Sequence, residues 1–81
     1  MKAAPVSEYY VSAYLTENQK HPEKPWTVGT FLARRLKGRA KNYKMNYEKR
    51  VIARLAAIEE LGQVRRVRSA GGGIAWLPVC D

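Results

Sequence analysis

The rhythm of the chain changes at Gly62. Before it, 46-NYEKRVIARLAAIEEL-61 repeats apolar residues at the three- and four-residue spacing of an amphipathic helix. After it, 64-VRRVR-68 and 74-IAWLPV-79 are rich in Val, Ile and Trp, and 69-SAGGG-73 lies between them. A helix stopped by glycine, followed by two strand-like runs joined through three glycines, implies a helical body carrying a C-terminal antiparallel hairpin. Pro78 lacks a backbone donor, so the returning strand lies at an edge or ends there. Val64 and Val67 differ in parity, and a bulge near Arg65 or Arg66 would reconcile them.

The residues before Gly62 divide into three helical stretches. Residues 6–19 form the first, with Pro5 or Ser7 near its start. Val6, Tyr10, Ala13 and Tyr14 share one face with Tyr9 beside them, while Val11 and Leu15 fall on another. A helix apolar on two faces needs cover on both, supplied by a second subunit, another partner or the chain's own tail. On this basis a homodimer through helix 1 is one expected assembly. Pro22 and Pro25 then interrupt the ladder. Thr27 is a favourable cap for a second helix, residues 27–37, with Trp26 placed to staple against Phe31. Val28, Phe31, Leu32 and Leu36 form its buried stripe, and Gly38 ends it unless Arg39, Ala40 and Lys41 prolong it. Lys41 to Met45 reads as a polar, basic connection. Asn46 then caps a third helix, residues 46–61, whose Val51, Leu55 and Ile58, with Ile52 beside them, face the core. Asn46, Lys49, Arg50, Ala53 and Ala57 face outward, with Arg54 on the flank. The hairpin occupies residues 63–79. The expected fold is mainly α with a small β-hairpin, one domain over residues 1–81.

Charge placement narrows the function. The net charge is +8. Residues 1–33 are neutral overall, whereas residues 34–68 carry twelve Lys or Arg against Glu48, Glu59 and Glu60. An excess confined to one block points to a polyanionic partner, most often nucleic acid. A solvated basic face is the plainer reading. Enzymatic chemistry is not expected. The seven acidic residues are scattered, His21 sits beside a proline with no second ligand, and the glycine triplet lacks the Lys-Ser/Thr of a phosphate-binding loop. No metal, cofactor or small-molecule ligand is implied. No apolar run approaches the roughly 20 residues of a membrane span, and Met1 to Pro5 is not followed by the apolar core of a secretory signal. A lone Cys80 excludes an intrachain disulfide and fits a reducing cytoplasm, at the nucleoid for a bacterial or phage protein.

From Trp26 to Pro78 the order of elements resembles the winged helix-turn-helix family of DNA-binding domains. The segment 27-TVGTFLARRL-36 looks like the family's second helix. Residues 51-VIARLAAIEELGQVRRV-67 are similar to its recognition helix running into the first wing strand, and 71-GGGIAWLPV-79 to the wing tip and returning strand. The connection at residues 38–45 is longer than the family's usual turn. Either the second helix runs on, or a basic loop supplies extra backbone contacts. The resemblance implies that the third helix enters the major groove of double-stranded DNA while the wing follows the backbone or an adjacent minor groove. Arg and Lys reach phosphates, Arg also pairs with guanine, and Asn with adenine. Asn46, Tyr47, Lys49, Arg50 and Arg54 are therefore expected at base edges or nearby phosphates, Lys41 and Lys44 as phosphate clamps, and Arg65, Arg66 and Arg68 as the wing's cations. One or two wing arginines could instead bridge Glu59 or Glu60, and Trp26 and Trp76 read as core. The expectation is a sequence-specific DNA-binding protein, a small regulator such as a transcriptional repressor. The alternative is a winged-helix module for RNA or a protein partner, such as an accessory factor in a nucleoprotein complex.

Overall fold

The computed structural model describes residues 6–38 and 41–79, the side chains of residues 6, 7 and 41 excepted. Its order is α1 (Val6–Lys20), α2 (Val28–Arg35), α3 (Lys41–Glu60), β1 (Val64–Arg68) and β2 (Ile74–Pro78). The chain is mainly helical, with one two-stranded antiparallel sheet. Cys80, Arg39 and Ala40 lie outside the described residues.

Thr27 caps α2 as its sequence implies. Its backbone is extended, and its hydroxyl accepts a hydrogen bond from the Thr30 amide at 3.2 Å. At the other end Leu36 donates to the Leu32 carbonyl and Gly38 takes a φ of 90°. α3 begins at Lys41 rather than at Asn46, so Asn46 is a helix-interior residue and Lys41 to Met45 is not a loop. No glycine or proline occurs between residues 39 and 61 to stop the helix from starting early. The earlier start also places Tyr43 one turn before Tyr47, with ring centroids 4.8 Å apart. That pair and the contact of Tyr47 with Tyr10 favour the earlier start over a cap at Asn46. The link between α2 and α3 therefore shortens to residues 36–40. Gly62 ends α3 with a φ of 79°. Its amide donates to the Glu59 carbonyl and that of Gln63 to the Ile58 carbonyl, the paired bonds of a Schellman turn.

Three helices and the hairpin close on one cluster that includes Val11, Tyr14, Val28, Phe31, Leu32, Leu36, Val51, Leu55, Ile58, Val64 and Trp76. Ile52 is not in it; at 37% exposure it faces outward. The two apolar faces expected of α1 are one broad arc. At about 100° per residue, Ala13, Tyr10, Tyr14, Asn18, Val11 and Leu15 span roughly 200° around Tyr14. Val11 is buried, and Leu15 packs against the same cluster. The face that suggested a homodimer is thus covered by the chain itself.

The inner end of the hairpin is tied to α1 by side chains. The Tyr14 hydroxyl donates to the Trp26 carbonyl at 2.7 Å and accepts from the Trp76 amide at 3.1 Å. Asn18, fully buried, donates to the carbonyls of Trp26 and Trp76 and accepts from the Trp26 amide. Burial also pushes the Tyr14 phenol above its usual pKa. The strands pair in regular register, with Arg66 opposite Trp76 and Arg68 opposite Ile74, and no bulge interrupts them. The parity conflict is resolved by exposure: Val64 is buried, whereas Val67 is only half-buried on the other face. The tip is a defined turn. Ser69 exchanges bonds with Gly73, Gly72 has a φ of 94°, and a Cβ at Gly73 would lie 2.9 Å from the Thr27 methyl. Gly72, for its backbone, and Gly73, for its closeness to Thr27, are needed to close this turn against α2.

Candidate nucleic-acid interface

The expected residues of α3 emerge from a rigid base. Val51 and Leu55 are fully buried and Ile58 nearly so, which fixes the rotation of the helix. Asn46, Lys49, Arg50, Ala53, Arg54 and Ala57 consequently lie exposed. Lys44 is half-buried, and the side chain of Lys41, on the first turn, lies outside the described set. Lys44 and Lys49 form no ion pair among the described residues. Two alanines beside the cations allow close approach of a surface to the helix.

This outward side has two unlike flanks. The flank near α1 holds Tyr47, Arg50 and Arg54. Tyr47 is half-buried, with Tyr10 edge-on at 5.3 Å and Tyr43 at 4.8 Å. A hydrogen bond with Tyr43 is the main reason its hydroxyl holds its proton above the ordinary tyrosine range. The Arg50 guanidinium lies 5.9 Å from the Tyr47 ring centre. Arg54 is engaged: its Nε is 2.7 Å from Glu8 Oε1. The flank near the hairpin holds Glu48 and Ile52. They border a groove of about 530 Å³ closed by Val28, Arg66, Ile74 and Trp76. The Glu48 carboxylate lies against the start of α2, where a Cβ at Gly29 would be 3.4 Å away.

The three wing arginines separate by strand alternation. Arg66 and Arg68 share a face with Trp76 and Ile74, whereas Arg65 sits opposite Leu77 on the reverse face. Arg65 borders a different cleft, beside Gln19 and Pro22. Arg66 is tied down: its Nε and Nη2 both lie 3.1 Å from Glu59 Oε1, and its guanidinium is 5.4 Å from the Trp76 ring centre. The same carboxylate oxygen accepts the Trp76 indole N–H at 3.0 Å. That indole bond, followed by Arg66, holds the Glu59 carboxyl below its ordinary pKa. Arg68 is exposed beside the tip.

The structure thus brings together Asn46, Lys49 and Arg50, places Arg68 on the hairpin face nearer α3, engages Arg54 and Arg66 internally, and sends Arg65 to the other side. Three features of the region escape the sequence reading. Glu48 sets an acid between α3 and α2, Ile52 and Ile74 make the groove partly apolar, and Tyr9, Tyr10, Tyr47 and Tyr43 form one aromatic run. The Tyr9-Tyr10 doublet and the four-residue spacing of Tyr43 and Tyr47 were its available signals. Among the described residues, no three His, Cys, Asp or Glu side chains are grouped to hold a metal ion, and no helix is long and apolar enough to cross a membrane. Comparison with protein-family models, curated proteins and solved structures gives no match to this chain.

Proposed function

We propose that the protein is a winged-helix module that binds double-stranded DNA with sequence preference and acts as a small transcriptional regulator of the repressor type. The observation that carries this reading is the exposed, outward group Asn46, Lys49 and Arg50 on a helix whose opposite side is locked by Val51 and Leu55. A major groove about 12 Å wide admits such a helix. Lys49 supplies phosphate attraction, Arg50 pairs with a guanine edge, and Asn46 pairs with adenine. The alanines let the helix seat deeply. Arg68 meets the backbone beside the hairpin tip. Arg54 can add a phosphate contact only by sharing its charge with Glu8, and Arg66 acts through the hairpin it braces.

The deciding experiment selects a preferred duplex from a random pool, then titrates the full chain against that site, a scrambled duplex and a double-stranded RNA at two salt concentrations. Tighter binding to the selected DNA, with a steep salt dependence, supports the reading. Equal binding to all three would remove sequence preference, and tighter binding to RNA would transfer the interface to that partner.

A further inference from the structure

One end of the helical bundle carries more aromatic surface than packing requires. Tyr9 meets Tyr10 with ring centres 5.5 Å apart, Tyr10 meets Tyr47 at 5.3 Å, and Tyr47 meets Tyr43 at 4.8 Å. The run therefore crosses from α1 to α3. Its inner pair, Tyr10 and Tyr47, is half-buried and joins the helices. Its ends are open to solvent, Tyr9 at 57% and Tyr43 at 37% exposure. Arg35, on the last turn of α2, donates to the Tyr9 hydroxyl at 2.8 Å and lies 5.7 Å from that ring.

The surrounding charge identifies what this surface suits. Among the described side chains, Arg35 borders Tyr9 and Lys44 follows Tyr43 on α3, and the sequence from Arg34 to Lys44 contains no carboxylate. Of the acids near it, Glu8 is paired with Arg54, Glu17 lies 3.3 Å from His21, and Glu48 faces the start of α2. Like charge opposes a second copy docking face to face. A duplex, whose bases are stacked inward, offers exposed rings little to hold. Unpaired bases offer an aromatic face regardless of sequence, and their backbone offers phosphates to the cations.

The geometry points to a second nucleic-acid surface, for single-stranded DNA or RNA, in which Tyr9 and Tyr43 stack on unpaired bases while Arg35, beside Tyr9, and Lys44, next to Tyr43 on α3, attract the phosphates. It lies on the α1 flank of α3, away from the groove beside the hairpin but next to Arg50, and it does not depend on the duplex reading. A nucleic acid with a single strand leaving a duplex could engage both surfaces.

The test uses the full chain with fluorescently labelled oligothymidine and oligouridine of about 20 nucleotides at about 50 mM salt. Replacing both exposed rings, Tyr9→Leu with Tyr43→Leu, is expected to weaken single-strand binding by about fivefold or more, the loss of at least one stacked base. Tyr9→Phe with Tyr43→Phe keeps the rings and retains binding. Lys49→Ala with Arg68→Ala lowers duplex affinity more than single-strand affinity. Because Tyr9 also receives Arg35, Tyr43→Leu alone carries the test if the double variant loses its cooperative melting. No binding of either oligonucleotide by the unaltered chain would overturn the proposal. So would wild-type binding by the leucine variants, or a leucine variant that changes only the sedimentation of a self-associated form. Loss of duplex selectivity in the earlier experiment would leave these outcomes unchanged.

Discussion

Asn18, near the end of α1, holds the carbonyl of Trp76 in β2, 58 positions further along the chain, at 3.1 Å and out of contact with water. With its two bonds to the Trp26 backbone, this one amide joins the helix, the loop before α2 and the returning strand. The second edge of β2 is thus occupied by side chains of α1.

Replacing Asn18 by leucine keeps the branched shape and removes every one of these bonds. The Trp26 amide and the Trp76 carbonyl become buried without this partner, and a stranded buried group costs about 1–3 kcal/mol. Asn18→Leu is expected to destabilise the fold by about 3 kcal/mol in a denaturant titration. A loss under about 1 kcal/mol would mean that water reaches these groups.

α3 provides an internal comparison between neighbouring positions. Leu55 is fully buried, whereas Ile52 is 37% exposed on the groove. Leu55→Ala should cost about 2–5 kcal/mol, while Ile52→Ala should stay near about 1 kcal/mol or less. Thermal melts of the two variants check the rotation of the helix. Similar melting temperatures would contradict it.

The helix-to-hairpin order was legible because Thr27, Gly62 and the glycine turn signal boundaries locally. The buried trio Val51, Leu55 and Ile58 was legible from spacing alone. The start of α3 was not, since Asn46 is a good cap and the Tyr43–Tyr47–Tyr10 contacts that favour an earlier start cross between helices. Asn18 was hidden for a similar reason: a polar residue on a helix reads as surface until its partners, residues 26 and 76, are known. At the candidate interface, spacing identified Asn46, Lys49 and Arg50 as outward. It could not assign Arg66 to Glu59 or Arg54 to Glu8, because both pairings depend on how elements meet in space.

Glu59 should make the hairpin sensitive to acid. Its indole bond from Trp76 and its contact with Arg66 favour the carboxylate and lower its pKa in the folded chain. A lowered folded-state value contributes stability that is full above the ordinary value of 4.5 and is lost as pH falls below it, through the folded-state value. Melting temperature should therefore fall more steeply below pH 4.5 in the parent chain than in Glu59→Gln, measured across the same acid series. Parallel curves would show that the carboxylate's charge contributes nothing there.

The proposed duplex interface makes different demands on Arg50 and Arg68, and Arg66 supplies a control. Arg50 stands on a helix fixed by Val51 and Leu55, so its guanidinium can hold one base edge. Arg50→Ala should cost about 1–3 kcal/mol at the selected site and relax preference at one base position. Arg68 sits beside the tip, at the end of a strand, where backbone attraction is its expected role. Its loss should weaken selected and scrambled duplexes alike and shallow the salt slope by about one phosphate's share. Arg66 is bound to Glu59, so Arg66→Ala should lower the melting temperature more than Arg68→Ala does. Titrating the three variants on both duplexes at several salt concentrations separates these roles. If Arg68→Ala abolished sequence preference while Arg50→Ala preserved it, the hairpin rather than α3 would be reading the bases.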